Sequence, residues 1–333
     1  MVLTSQAQFK IMPLGNSLTY DNDTFDGQPP TPTRPLNERI AYRKKLHELL
    51  TQEGYDFDFV GSENAGEALF SDGDNAGFPG IEASHFPTLL STGKIIQNSP
   101  FLYNKNEQVT AGPYLDAFLP DVILLHIGTN NVANTNPSVM GDILNEIEAY
   151  AVRSSIMVTV FMALIIKENP NNVKTQTYNS GINSIANGRS SNNMKVIVVD
   201  MENGAGIDYT TEMVDRWHIN NSGYEKMAQL WFDKFSEEFV FVGLEDEIAD
   251  NSERVKVFPN PTESKFTIEF EDASWNEFNV SIYDITGKKY VHTTFEIHQD
   301  VKFEMSLEGF PNGQYIVRLV NKEQTIIKKV IKY

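Results

Sequence analysis

No cysteine occurs among the 333 residues. Its absence excludes disulfides, thiolate nucleophiles and cysteine-ligated zinc, and leaves the redox compartment undetermined. Covalent chemistry must therefore come from oxygen and nitrogen groups. Basic residues are scarce: 27 Lys and Arg stand against 45 Asp and Glu, a formal charge of −18. The deficit is uneven, because residues 1–250 hold 33 acidic and 16 basic side chains, a net of −17, while residues 251–333 hold 12 and 11. A surface of that sign repels phosphate backbones and anionic lipid, which disfavours nucleic acid and membrane partners; a neutral polysaccharide feels little of it. Long apolar runs are also missing. The longest, Ile156–Ile166, interrupted only by Thr159, is too short to span a bilayer. Met1–Gln8 lacks the charged and apolar regions of a signal peptide, so any export signal is expected to have been removed or never to have been present.

What is present is a globular composition, 41% hydrophobic, in a chain long enough for two domains. Phe9–Leu14, Phe57–Val60, Asp121–Ile127, Ile156–Ile166 and Lys195–Asp200 read as strands. Between them, Leu46, Leu49 and Leu50 share one helical face of Tyr42–Thr51. A second helix follows Asn136-Pro137 with a stripe of Val139, Met140, Ile143, Leu144, Ile147 and Ala151, and a third spans Thr175–Ala186. A last helix starts near Asn221 or Ser222, where Ser222-x-x-Glu225 matches a capping box ahead of Tyr224, Met227, Ala228, Trp231 and Phe235. Asp21–Pro35 and Asp72–Gly80 read as loops, and Lys94–Thr110 shows no clear period. Strands alternating with helices imply a parallel sheet, so residues 1–240 are expected to form a three-layer α/β/α domain with about five strands. Gly243–Arg254 loses the apolar period, giving a linker at 241–254. From 255 to 333, alternation at Phe266, Ile268, Phe270 and at Phe278, Val280, Ile282 predicts a small all-β sandwich of Greek-key type.

The chemistry centres on Ile11–Thr19, where an apolar run stops at Gly15 and Ser17 follows. A serine hydroxyl is a poor nucleophile unless a histidine takes its proton, a carboxylate orients that histidine, and donors meet the oxyanion. Asp215 and His218, three apart, allow one turn of backbone to hold a carboxylate against Nδ1 and leave Nε2 for Ser17. The alternative is a solvated aspartate and a capping histidine. His126 lies inside an apolar strand as a hydrogen-bonded core residue; His47 on a helix and His85 in a loop lack metal-ligand spacing. Neither Asp21, Asp23 and Asp26 nor Asp72 and Asp74 complete a calcium loop, so no metal and no cofactor is assigned.

Gly15-Asn16-Ser17-Leu18, Gly80, Gly128-Thr129-Asn130 and Asp215-Arg216-Trp217-His218 resemble, in order, the four blocks of the SGNH (GDSL-type) hydrolases. The resemblance implies a flavodoxin-like α/β/α fold and a catalytic triad of Ser17, Asp215 and His218. It also implies an oxyanion hole made by the Ser17 N–H, the Gly80 N–H and the Asn130 side-chain amide. Gly77 competes with Gly80 for its place, and Asn131 adjoins Asn130. Asn16 departs from the family, which has aspartate there. Ile11–Gly15, Tyr42-Arg43, Asp58–Ser62 and Leu125–Asn130 are similar to carbohydrate esterase family three, which removes acetyl groups from xylan and related glycans. Ile81 stands where that family has tryptophan, and Asp21–Pro35 looks like an insertion beside the nucleophile.

The expected function is thus a secreted O-acetyl esterase acting on acetylated polysaccharide or oligosaccharide through an acyl-serine. The alternatives are a lipase, lysophospholipase or thioesterase of the same superfamily, or a surface glycan-binding protein in which Asn16 marks a decayed site. Val257–Thr262, Ile282–Lys288 and Gly313–Tyr315, with Lys328–Tyr333 at the end, resemble the C-terminal sorting domain of type IX secretion cargo. That resemblance implies a Bacteroidota-type export route, with the type IX machinery as partner and a secreted or cell-surface location. A carbohydrate-binding or spacer module is the alternative for this domain.

Overall fold

The computed structural model describes residues 8–21, 35–98, 104–167, 173–239, 255–271, 277–284, 289–296, 302–320 and 325–333. The loop expected at Asp21–Pro35, apart from its end residues, and the linker expected at 241–254 lie outside these residues. Residues 8–235 form one compact unit, and a second is formed from residue 236 onward.

The first unit is built on β1 (Phe9–Gly15), in which every residue but Lys10 is buried. Along the chain follow α1 (Ser17–Tyr20), α2 (Arg43–Gln52), β2 (Phe57–Phe59), β3 (Glu63–Asn64), β4 (Asp74–Gly77), α3 (Phe86–Thr92), β5 (Lys94–Asn98) and β6 (Asn104–Gln108). Then come α4 (Tyr114–Phe118), β7 (Val122–His126), α5 (Val139–Ser154), β8 (Val158–Leu164), α6 (Val173–Ala186), β9 (Met194–Asp200) and α7 (Asn221–Glu238). The sheet order is β3-β4-β1-β7-β8-β9, with β2 also on β1. β2 pairs with Phe9–Ile11 and β4 with Leu14–Gly15, so two short strands share one edge of β1 end to end. All these pairs are parallel except β3 with β4. The chain crosses β1 in both directions, and in such sheets functional groups collect where the order reverses, beyond the carboxyl ends of the strands.

Period-two alternation in the strands separates two layers. Met12, Leu14, Ile123, Leu125, Val160 and Met162 pack with Leu89 of α3, Ile143 and Ile147 of α5 and Ile182 of α6. On the other face Phe235 of α7 meets Phe9, Tyr55 and Phe161, and Trp231 meets Tyr42. Helices cover both faces, as the alternating pattern implies. Three details differ from the sequence reading. Lys94–Gln108 holds an antiparallel pair, β5 with β6. The loop Asp72–Gly80 contains β4. Finally, α5 starts at Val139, because Asn136 Oδ1 accepts from the Ser138 N–H at 3.0 Å and closes a separate turn first.

Asp121, just ahead of β7, accepts from the Lys10 N–H at 3.1 Å, and burial pushes its carboxyl up to about 6. The folded protein therefore holds this proton to higher pH than the unfolded chain, whose aspartates titrate near 4. Stability from this group is complete below about 4 and is lost as pH rises through about 6. Asp121→Asn is expected to raise the urea midpoint relative to the parent above pH 6 and to leave it unchanged below 4, and parallel midpoint-versus-pH curves would contradict this.

The second unit has two antiparallel sheets. β10 (Val255–Phe258), β11 (Lys265–Phe270) and β14 (Lys302–Ser306) run in the order β10-β11-β14. β12 (Glu277–Asp284), β13 (Lys289–Glu296), β15 (Gly313–Val320) and β16 (Thr325–Lys332) run in the order β13-β12-β15-β16. Phe266, Ile268 and Phe270 of one sheet and Phe278, Val280, Ile282, Val317 and Leu319 of the other form one core, with the Phe270 and Phe278 rings 4.6 Å apart. Asn260 closes the sandwich at its end: Oδ1 accepts from the Ile331 N–H at 2.9 Å and Nδ2 donates to Lys329 O at 2.6 Å.

Candidate active site

At Gly15, β1 passes so close to its surroundings that a Cβ would stand 2.4 Å from Thr19 Oγ1 and 2.5 Å from His126 O, so only glycine fits. The chain then turns into α1. Asn16 is fully buried and caps this turn, its Oδ1 accepting from the Leu18 N–H at 3.0 Å. Its Nδ2 has no partner among the described residues. An aspartate would keep the cap and bury a charge instead. Ser17 is the first residue of α1, so its N–H has no helical residue four back to donate to. At the exit of α1 the last carbonyls face the same lack of partners, and a buried arginine supplies them: Arg43 Nε donates to Thr19 O at 3.0 Å and Nη2 to Tyr20 O at 3.1 Å.

The opposite wall is a short hairpin before α7. Met213 bridges Ile219, the Val214 N–H donates to His218 O at 2.9 Å, and the Asn220 N–H to Glu212 O at 2.8 Å. Asp215 sits at its tip. Oδ1 accepts from the Trp217 and His218 N–H groups at 2.6 and 2.8 Å, while Oδ2 lies 2.7 Å from His218 Nδ1. Burial by itself would raise this carboxyl, but the His218 ring and the two backbone donors outweigh it and hold Asp215 below the usual carboxylate range. An ionised carboxylate can only accept, which puts the proton on Nδ1 and the lone pair of the neutral ring on Nε2. That nitrogen is 2.9 Å from Ser17 Oγ.

Glu212 fixes the base of the hairpin and was not evident from the sequence, where a lone acidic side chain reads as solvated. It is buried; it accepts from Ser222 Oγ at 2.7 Å, from Lys226 Nζ at 2.9 Å and from the Asp208 N–H at 2.7 Å. Because Ser222 is committed to Glu212, the expected capping box does not form. Asn220 caps α7 in its place, with Oδ1 accepting from the Gly223 N–H at 3.1 Å.

The loops after β4 and β7 adjoin the nucleophile because Gly15 pairs with both Gly77 and His126. Phe78-Pro79-Gly80-Ile81 is a type II turn: the Ile81 N–H donates to Phe78 O at 3.1 Å, and Gly80 at the third position has φ +80°. The Gly77 N–H is taken by Asn75 Oδ1 at 2.9 Å. Asn130 Nδ2 donates to Ile81 O at 2.9 Å and so ties the two loops together; Asn131 is exposed and bonds Glu82 instead. An amide has two N–H groups, and among the described residues the second one of Asn130 has no acceptor.

The other histidines stay apart. His126 is buried, its Nε2 accepts from the Ile166 N–H at 3.4 Å, and burial lowers its pKa to about 4, which keeps it neutral. His47 packs among Phe57, Phe59 and Phe70. Asp21 Oδ2 accepts from the Ile40 and Ala41 N–H groups, and Asp72 Oδ2 from that of Phe59. Among the described residues no group of three or more His, Asp or Glu is arranged to hold a metal ion, and no helix is long and apolar enough to cross a membrane.

Residues 11–231 match the family model described as GDSL-like Lipase/Acylhydrolase, and residues 256–333 match the one described as Secretion system C-terminal sorting domain. A multidomain esterase of Ruminococcus flavefaciens is 31% identical over 242 residues, covering 68% of this chain and 28% of that protein. The chain thus spans less than a third of that relative. A family 3 carbohydrate esterase of Clostridium thermocellum is 27% identical, with coverage of 68% and 94% and a TM-score of 0.49. One from Talaromyces cellulolyticus is 21% identical, with coverage of 69% and 97% and a TM-score of 0.52, a likeness of fold.

Proposed function

The chain belongs to the GDSL-like lipase/acylhydrolase family, and from that premise we propose that it is a secreted serine esterase that removes O-acetyl groups from polysaccharide. The observation that carries this reading is the continuous hydrogen-bonded line from Asp215 through His218 to Ser17, at 2.7 and 2.9 Å. Ser17 Oγ attacks the acetyl carbonyl carbon while Nε2 takes its proton, and the ionised Asp215 stabilises the imidazolium that forms. The carbonyl oxygen becomes an oxyanion, received by the N–H groups of Ser17 and Gly80 and by the Asn130 amide; losing one such donor costs ~10²–10³ in rate. As the tetrahedral centre collapses, the sugar oxygen leaves and receives the proton from Nε2. Water then attacks acetyl-Ser17 by the same route in reverse, releasing acetate.

An esterase relative supports ester chemistry. The acetylated glycan is what the likeness of Ile11–Gly15, Tyr42-Arg43, Asp58–Ser62 and Leu125–Asn130 to carbohydrate esterase family three implies, and a neutral polymer is compatible with the −17 charge of residues 1–250. Export through the type IX machinery is supported by the sorting-domain match over 256–333.

Acetate release from a panel of acetylated polysaccharides, measured beside acetyl and palmitoyl nitrophenyl esters, tests the substrate. The expected result is acetate from at least one glycan and a preference of about 100-fold or more for the acetyl ester. Preference for the long chain selects the lipase reading. A wild type that binds glycan and hydrolyses no ester selects the binding protein.

A further inference from the structure

Ser17 and His218 are only 7% and 8% exposed, so the reacting ester enters a narrow opening and the rest of a polymeric substrate lies on the rim. The turn that carries Asp215 and His218 also carries exposed side chains. Of its four residues, Asp215 and His218 are committed to the hydrogen-bonded line, and the two between them, Arg216 and Trp217, are not part of it. Trp217 is 37% exposed, and it is the one aromatic among the large hydrophobic side chains left exposed by the described residues of 8–235. Val214, next to Asp215, is 56% exposed. The Arg216 guanidinium carbon lies 5.6 Å from the centroid of the Trp217 ring.

We propose that Trp217, with Arg216 beside it, is a glycan-stacking platform that seats a sugar unit of the chain next to the unit being deacetylated. The proposal rests on the esterase reading above and names the part of the site that makes a polymer its substrate. An indole face offers a large apolar surface with a negative quadrupole, suited to the C–H face of a pyranose. The Arg216 guanidinium stands over the ring as a cation–π partner that orients the indole. Stacking of a sugar on the indole needs no charged ligand, which fits a neutral glycan.

Position matters as much as chemistry. The Trp217 N–H is bonded to the same carboxylate, at 2.6 Å, that holds the imidazole at 2.7 Å. That N–H belongs to the backbone, so the bond holds the turn that carries the ring against the imidazole, and a sugar stacked on Trp217 is bound one residue along the chain from His218. Preorganised placement of this kind raises kcat as well as lowering KM.

The test uses the full chain and two readouts. In a Ser17→Ala background, which spares bound ester, xylohexaose binding is followed by calorimetry. Trp217→Ala is expected to raise Kd about tenfold or more, and Trp217→Phe, which keeps an aromatic face, less than about threefold. With Ser17 intact, the ratio of kcat/KM on acetylated xylan to that on nitrophenyl acetate is expected to fall about tenfold in Trp217→Ala and to recover in Trp217→Phe. Unchanged xylohexaose binding overturns the proposal. So does an equal fall on both substrates, which would make Trp217 a brace for the turn alone. Binding of phosphatidylcholine vesicles that depends on Trp217, without xylohexaose binding, assigns the patch to lipid and also overturns it. Failure of the esterase reading looks different: xylohexaose binding would still depend on Trp217 while no acetate was released from any glycan.

Discussion

Ser17→Ala is expected to lower kcat/KM for nitrophenyl acetate by about 10⁴- to 10⁶-fold, and His218→Ala by a similar factor. The double variant should be no worse than the more damaged single one. The reason is geometric: in the proposed mechanism Oγ and Nε2, 2.9 Å apart, work as one unit, so that losing either removes the function of both. Asp215→Asn removes the anion that fixes the Nδ1 proton and is expected to cost ~10⁴ through the wrong tautomer. Stability should barely change in Ser17→Ala, because a hydrogen bond of this kind contributes about 1 kcal/mol. Additive losses in the double variant, or residual activity in Ser17→Ala above about 1% of wild type, would remove Ser17 from the reaction.

The second large effect is on the fold. Arg43 is fully buried, and all five of its N–H donors go to backbone carbonyls: Thr19, Tyr20, Arg39, Ala65 and Gly73, at 2.8 to 3.1 Å. Burial lowers its pKa to about 10, so it stays charged at neutral pH. Three separate stretches of chain, around positions 20, 39 and 65–73, converge on one guanidinium. Arg43→Met takes a donor from all five carbonyls; Gly73 O keeps the Ala65 N–H and Asn75 Nδ2, and each of the other four left bare costs about 1–3 kcal/mol where water cannot reach. The expected destabilisation is about 4 kcal/mol or more, a large share of an ordinary folding margin of about 5–15 kcal/mol. Arg43→Lys keeps the charge but has three donors in place of a planar fork, so it should fall between the two. Urea midpoints read the effect, and an Arg43→Met variant within about 1 kcal/mol of wild type would contradict the account. Because two of the five carbonyls end the helix that begins at Ser17, Arg43→Lys should also lower kcat.

Sequence pattern reached the parts of this protein whose signal is local. Phe9–Gly15 and Val122–His126 are apolar runs bounded by turn residues, and a strand buried on both faces needs nothing more. Asp215 and His218 lie three residues apart, so one turn suffices to join them. Parts that depend on distant partners stayed hidden. Asp74-Asn75-Ala76-Gly77 has no strand-forming side chain and is a strand because Leu14 and Gly15 pair with it. Asn104–Gln108 is wholly polar, and its pairing with Lys94–Asn98 is carried by backbone hydrogen bonds. Asn220 and Ser222 are both good caps, and Glu212, ten residues before Ser222, decides between them by taking the serine hydroxyl. Arg43 and Glu212 are charged, and nothing in their neighbours along the chain says that carbonyls, or a lysine and a serine, would close around them.

The bond from Ser17 to His218 spans 201 positions. Its two ends reach their places by different means, the serine on the turn that follows the strand paired with β2, β4 and β7, the imidazole on a hairpin held by its own clasp to α7. The strands that pair with β1 all lie before Ile127, so a growing chain holds the surroundings of Ser17 well before it holds His218. On the proposed mechanism, a chain that has not yet placed His218 leaves the Ser17 hydroxyl an ordinary alcohol.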